Sequence, residues 1–220
     1  MEVKAVVFDM DGLMLDTEPL YKESWQNAAS KLGHEIDNEL FFSLLGKNNK
    51  DSERVLIESL GQDFPIEKFR GLWPEIWKEL VLSKGIKPKK GLYELLDFLD
   101  LRGIPFAVAT SSDEMDAHLS LKTANIINKV QFVVSGDKVA NGKPSPDIYL
   151  EAARMLAVEP AYCIALEDSS PGARAAISAG MTTFVIPDLL EPSEEIAASA
   201  FAVLSSLAEA KTVIENLLSN

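Results

Sequence analysis

Residues 3–16 read V-K-A-V-V-F-D-M-D-G-L-M-L-D, and this stretch decides the fold. Ala5 to Phe8 form a short apolar run rich in β-branched residues, the pattern of a strand buried on both faces of a parallel sheet. The run ends at Asp9, with Asp11 two residues on and Gly12 directly after. Residues i and i+2 leave a strand on the same face, so Asp9 and Asp11 can converge at its carboxyl end. Open α/β sheets bind ligands along that edge. Paired carboxylates there are hard oxygen ligands suited to Mg²⁺, and one of them can also serve as a nucleophile. Asp and Gly are equally ordinary turn residues, so D-x-D-G alone leaves the choice open.

Downstream of Asp16 the periodicity becomes helical. It predicts helices over 18–32, 39–45, 51–60 and 66–83, with Gly33, Gly46 and Gly61 as stops. Pro74 predicts a kink or break in the last of these. Trp25, Trp73 and Trp77 fall in apolar stripes and are read as core. No strand signal appears between Thr17 and Gly85. From Pro88 the chain alternates: helix 92–102, strand 104–109, helix 113–124, strand 132–135, helix 147–156, strand 163–166, helix 172–179, strand 183–186, a weak strand 201–203 and a last helix 207–218. The expected fold is α/β, a doubly wound parallel sheet. Residues 1–16 and 88–220 would form the core and 17–87 an inserted all-helical unit, with hinges near Asp16-Thr17 and Lys87–Lys90.

Composition narrows the partners. The 220 residues are 47% hydrophobic and 25% charged, enough for a substantial core. A net charge of −13 argues against nucleic acid and against an anionic membrane, since both demand a basic face. The longest apolar runs are strand-sized, so no membrane span is expected. No basic segment precedes an apolar stretch near Met1, so no secretory signal is expected. The single cysteine, Cys163, leaves no internal disulfide and suits a reducing, cytoplasmic setting. A monomer or weak dimer is expected. An anionic small molecule would need local positive charge.

The carboxyl ends of the predicted strands supply Asp9 and Asp11, Thr110 with Ser111, and Glu167 with Asp168, and a following loop supplies Lys143. Phosphoryl transfer asks for an anionic nucleophile, a metal that offsets phosphate charge, and donors around the equatorial oxygens. Each piece has a plainer reading. Thr110–Ser112 and Glu167-Asp168 could cap the next helices, and Lys143 could be a solvated loop charge. Their joint placement at separate strand ends favours a site.

The chain resembles the haloacid dehalogenase superfamily along its whole length. F-D-M-D-G-L-M-L-D-T-E-P, A-T-S-S, N-G-K-P-S-P-D and L-E-D-S-S-P-G-A-R-A-A-I-S-A-G match its four ordered motifs. The helical insertion falls where one branch, with the β-phosphoglucomutases and many small phosphomonoesterases, carries its cap. The resemblance implies that Asp9 is the nucleophile and that Asp11 protonates the leaving oxygen and then activates water. Thr110 and Lys143 would hold the phosphoryl group, with Gly12 and Ser111 beside it. Mg²⁺ would take the Asp9 carboxylate, the Asp11 carbonyl and Asp168, with Glu167 orienting Lys143 or completing the metal shell.

Asp9 can attack a phosphate dianion only if Mg²⁺ and Lys143 offset the repulsion. Asp11 must hold a proton near neutrality, which a closing, water-excluding cap would favour. An aspartate at 11 also argues against a dehalogenase, which has no leaving oxygen to protonate. His34 and His118 match no motif and are read as structural or exposed.

Substrate choice turns on departures from the branch. Mutases carry a cap histidine where this chain has Tyr21, a cap arginine where it has Asn49, and a Lys-Asn pair where it has Asp113-Glu114. A second phosphate loses a bidentate guanidinium there and meets acids. Lys47, or Lys50 on the same link, could supply the missing charge on the cap side. The expected protein is a Mg²⁺-dependent phosphatase acting on a small sugar or nucleoside monophosphate through an aspartyl-phosphate. The alternatives are a β-phosphoglucomutase-type isomerase, an inorganic pyrophosphatase, and a non-catalytic module that binds phosphometabolites.

Overall fold

A computed structural model gives the fold; it describes residues 2–45 and 49–219, with backbone alone for 49–51. The chain begins with β1 (Ala5–Phe8) and β2 (Leu15–Asp16). Helices α1 (Glu18–Lys31), α2 (Asn38–Leu44), α3 (Asn49–Leu60) and α4 (Ile66–Lys84) follow, then β3 (Lys87–Pro88) and α5 (Leu92–Arg102). Next come β4 (Phe106–Ala109), α6 (Glu114–Thr123), β5 (Phe132–Val134), α7 (Asp147–Leu156) and β6 (Cys163–Glu167). The chain closes with α8 (Ser170–Ser178), β7 (Thr182–Val185), α9 (Glu194–Ser199), β8 (Ala202–Val203) and α10 (Leu207–Ser219). Two compact units result, Met1–Asp16 with Lys87–Asn220, and Thr17–Ile86.

The first unit is a six-stranded sheet in the order β5-β4-β1-β6-β7-β8, with every pair parallel. The fold is therefore the expected α/β type, a parallel sheet flanked by helices. From β1 the chain builds outward through β4 to β5, then returns to β1's other side for β6. That reversal is the switch point at which such sheets open a ligand crevice. The register keeps the strand ends level: Phe8 lies opposite both Val108 and Leu166, so Asp9 emerges beside the end of β6.

Alternation along the strands makes the sheet's two faces different in bulk. Ala5, Val7, Ala107, Ala109, Cys163 and Ala165 line one face, all buried, against Ile148, Tyr149, Ala152 and Ala153 of α7 and Ala175 and Ala176 of α8. Small residues on both sides let these helices approach the sheet closely. On the other face the side chains are larger, and Phe8 meets Phe106 edge to face at 5.7 Å.

The second unit is helical. Its core joins Ala28, Ala29, Ile36, Phe41, Leu44, Leu56, Phe64, Phe69 and Ile76. Trp25 and Trp73 pack against that core, and Trp77 is 1% exposed. Tyr21 stacks on Trp77, with centroids 5.4 Å apart and planes 15° from parallel. The tryptophans are thus packing residues. His34 sits edge-on to Phe64, and His118 Nδ1 lies 2.8 Å from the Glu114 carbonyl, so each ring is bound locally.

Several local expectations are corrected. β4 begins at Phe106, because Pro105 has no N–H to give to a ladder. Pro74 does not end its helix: α4 runs unbroken from Ile66 to Lys84. α3 begins at Asn49, so the polar link is shorter than the sequence suggests. Leu15 and Asp16 pair antiparallel with Pro88 and Lys87, a two-residue ribbon too short to give a periodicity signal. α9 went unread for the same reason, at six residues.

Ile148 is fully buried in the small-residue face. Ile148→Ala should lower unfolding free energy by about 2–5 kcal/mol, since the neighbouring alanines cannot swell to fill the cavity. Chemical denaturation with an unchanged m-value would measure it, and a loss below about 0.5 kcal/mol would contradict this packing.

Candidate active site

The site begins where β1 ends. The Asp9 N–H donates to the Leu166 carbonyl at 2.9 Å, continuing the β1–β6 ladder one step past the strand. The next residues turn sharply: the N–H groups of Met14 and Leu15 donate to the Met10 carbonyl, and Gly12 N–H donates to Leu15 O. Gly12 has φ +82°, a conformation that side chains resist. A Cβ at Gly12 would also lie 2.3 Å from Asp168 Oδ2. The glycine therefore lets the turn pass under Asp168.

Lys143 reaches the same place from the loop after β5. Its ammonium, 7% exposed, donates to Asp9 Oδ1 in a short hydrogen bond and to Glu167 Oε1 at 2.6 Å. Glu167 is fully buried at the end of β6 and saturated with donors. Tyr149 Oη donates to Oε1 at 2.8 Å, while Asp168 N, Ser169 N and Ser169 Oγ donate to Oε2 at 3.0, 3.0 and 2.9 Å. Such a carboxylate is fixed in place and fixes Lys143 in turn. Gly172 matters by close approach, since a Cβ there would fall 1.7 Å from Glu167 Oε1.

Asp9, Glu167 and Asp168 each offer an oxygen, all within 4.8 Å of one another. Burial, then the charges of Glu167 and Asp11, raise the Asp9 carboxyl well above the usual range, against the pull of Lys143. Burial also raises Asp168, reinforced by Asp9 and Glu167. Glu167 goes the other way: burial opposes its ionisation, but Lys143 together with the Ser169 and Tyr149 donors holds the carboxyl low. Burial likewise works against the Lys143 ammonium, yet Asp9 and Glu167 keep it charged to high pH. Once ionised, the three carboxylates carry more negative charge than the lysine cancels. An all-oxygen set of this kind, with room kept open by Gly12, fits a hard divalent cation such as Mg²⁺.

Asp11 stands apart from the triad. Its Oδ2 accepts from Ser112 Oγ at 2.8 Å and from Thr110 Oγ1 at 3.2 Å, both at the end of β4. Thr110 Oγ1 also accepts from Ser112 N at 3.1 Å, so this hydroxyl organises the turn and does not cap α6. Ser111 is exposed at the same strand end. Glu114 is paired with Lys138 at 2.6 Å. The side chains of Lys47 and Asn49, and of Lys50, lie outside the described residues.

Tyr149, Ser112 and Ser169 escaped the sequence reading. Tyr149 carried a signal, a hydroxyl on the inward stripe of α7 beside Ile148, Ala152 and Ala153. The serines carried none beyond membership of turn-forming strings.

A doubly wound sheet whose switch point presents a lysine-bonded aspartate beside two further acids defines an α/β enzyme. Residues 6–186 match the family model of the haloacid dehalogenase-like hydrolases. A phosphorylated carbohydrates phosphatase of Thermotoga maritima is 35% identical over 81% of this chain and 82% of its own length. A candidate pseudouridine-5′-phosphatase of Drosophila melanogaster is 33% identical over 96% of this chain and 92% of its own. The crystal structure of a candidate β-phosphoglucomutase from Thermotoga maritima superimposes with TM-score 0.82 at 32% identity, covering 99% of this chain and all of that one. The chain belongs to the haloacid dehalogenase-like hydrolase family.

The raised carboxyls of Asp9 and Asp168 must shed protons before they can ligate a cation. Mg²⁺ affinity should therefore fall as pH drops through their raised values, and binding there should release protons. Calorimetry in two buffers of different ionisation enthalpy measures this, and identical heats in both would contradict it.

Proposed function

We propose that the protein is a Mg²⁺-dependent phosphatase that hydrolyses small phosphorylated metabolites, sugar or nucleoside monophosphates, through an aspartyl-phosphate on Asp9. The observation that carries this reading is the Lys143 ammonium bridging Asp9 and Glu167 at the sheet's switch point. Asp9, Asp168 and the Asp11 carbonyl would hold Mg²⁺, which offsets phosphate charge and polarises the phosphoryl oxygens when bound.

An Asp9 carboxylate oxygen attacks phosphorus in line with the ester oxygen. Lys143 neutralises charge on the transferring group, and Thr110 with the N–H groups of its turn serves the equatorial oxygens. Asp11 gives its proton to the departing oxygen. It then takes one from water, which attacks phosphorus and releases inorganic phosphate with Asp9 restored. Ser112 and Thr110 hold Asp11 at one oxygen, leaving the proton to the other. Glu167 acts by aiming Lys143, since its five donors leave little capacity for a metal.

The substrate class follows the two named phosphatase relatives, one acting on phosphorylated carbohydrates and one a pseudouridine-5′-phosphatase candidate. The helical unit would choose among substrates and act as a lid. Hydrolysis is favoured over isomerisation because Tyr21, at the mutase histidine position, is committed to the aromatic stack with Trp77. Asp113 directly precedes α6 and adds acid where mutases carry a cation, while the charge of Glu114 is met by Lys138. A reducing, cytoplasmic setting suits the buried free thiol of Cys163, pushed up by burial to about 11. Among the described residues no helix is long and apolar enough to cross a membrane. A monomer or weak dimer is the proposed state.

Phosphorus NMR on a panel of sugar and nucleoside monophosphates with Mg²⁺ tests the reading. Inorganic phosphate should be the main product, silenced by chelation and restored by Mg²⁺. Conversion of β-glucose 1-phosphate to the 6-phosphate without phosphate release would instead establish the mutase. Asp9→Asn should cut turnover by at least about 10³-fold with the fold intact, as expected when the attacking group of a catalytic unit is lost. Turnover comparable to wild type would remove Asp9 from the mechanism.

A further inference from the structure

One carboxylate near the site is unused by that mechanism. Asp188 follows β7, and the Ile186 N–H, donating to the Glu167 carbonyl at 2.7 Å, ties this segment to the end of β6. Asp188 Oδ1 is paired with the Lys89 ammonium, and its side chain is 13% exposed. Lys89 is itself anchored, its N–H donating to the Met14 carbonyl at 2.8 Å. The second oxygen, Oδ2, is buried without a hydrogen-bond partner among the described residues.

Gly12 marks where it points. A Cβ built there would meet Asp168 Oδ2 at 2.3 Å and Asp188 Oδ2 at 3.4 Å, so both oxygens border the space the missing side chain leaves. Asp188 does not belong to the compact triad of Asp9, Glu167 and Asp168. It is therefore placed beside a cation's ligands without being one of them. A buried acceptor turned away from its own salt-bridge partner needs a donor from elsewhere. Mg²⁺ dehydrates reluctantly and keeps several waters, whose hydrogens are strong donors.

The geometry points to Asp188 as a positioning residue that accepts a hydrogen bond from a water on the bound Mg²⁺, with Lys89 setting the carboxylate's direction. This rests on the Mg²⁺-dependent reading above. Partners of this outer kind typically change metal affinity by 10–100-fold.

The test is calorimetric titration of Mg²⁺ into substrate-free protein, together with turnover as a function of Mg²⁺. In Asp188→Asn, which keeps the shape and loses the charge, the Mg²⁺ Kd should rise about 10–100-fold. The kcat at saturating Mg²⁺ should fall by much less than the affinity. Lys89→Met should raise the Kd in the same direction, Lys89→Arg should largely restore it, and these variants serve if Asp188→Asn fails to fold. A Kd within twofold of wild type in both Asp188→Asn and Lys89→Met would overturn the inference. So would a loss of kcat that saturating Mg²⁺ does not relieve, which marks a structural role. Wild-type protein that binds no Mg²⁺ at all would sink the metal-dependent reading itself, and with it this inference.

Discussion

A lysine held between two buried carboxylates is the interaction on which this molecule depends. Lys143 bridges Asp9, directly after β1, and Glu167 on β6, and all three are almost wholly withdrawn from water. Desolvating such groups is expensive, and a buried pair is weak evidence of net stability. Losing one partner of such a pair costs about 3–5 kcal/mol, because a charge is left stranded. A feature with that liability earns its place through what it does for Asp9. It draws the Asp9 carboxyl back toward its anionic form, against the burial and the neighbouring acids that raise it.

The surroundings serve that arrangement. Five donors converge on Glu167 and leave it no freedom to rotate away from Lys143. Gly172 lets the first turn of α8 pass close against that carboxylate, where a Cβ would fall 1.7 Å from Oε1. The alanine-rich sheet face lets α7 sit near enough for Tyr149 to contribute its hydroxyl. Packing and electrostatics thus meet in one residue: the small side chains that admit α7 also determine where a charged oxygen points.

How much of this could be read from the chain follows from range. The parallel sheet is legible because β1, β4, β5 and β6 are apolar runs that each lead into polar residues. Once those ends share an edge, Asp9, Thr110, Glu167 and Asp168 must lie near one another. Lys143 was legible through its place in a motif string more than through any periodicity. What escaped depends on orientation within an element or on contacts across many residues. Ser112 meets Asp11 and Lys89 meets Asp188 at separations of about a hundred residues, and no local pattern marks either. The ribbon of β2 and β3 is two residues wide, below the length at which alternation can be seen.

That ribbon has a consequence for how such proteins diversify. Leu15-Asp16 and Lys87-Pro88 are hydrogen-bonded neighbours, so the helical unit enters and leaves through a single doorway in the sheet unit. An insertion with adjacent ends imposes no span on its host. Its length, composition and even its fold can be exchanged without stretching the strand that leads to Asp9 or the loop that carries Lys143. If the helical unit selects the substrate, specificity can be rewritten there while the strand ends around Asp9 are inherited unchanged.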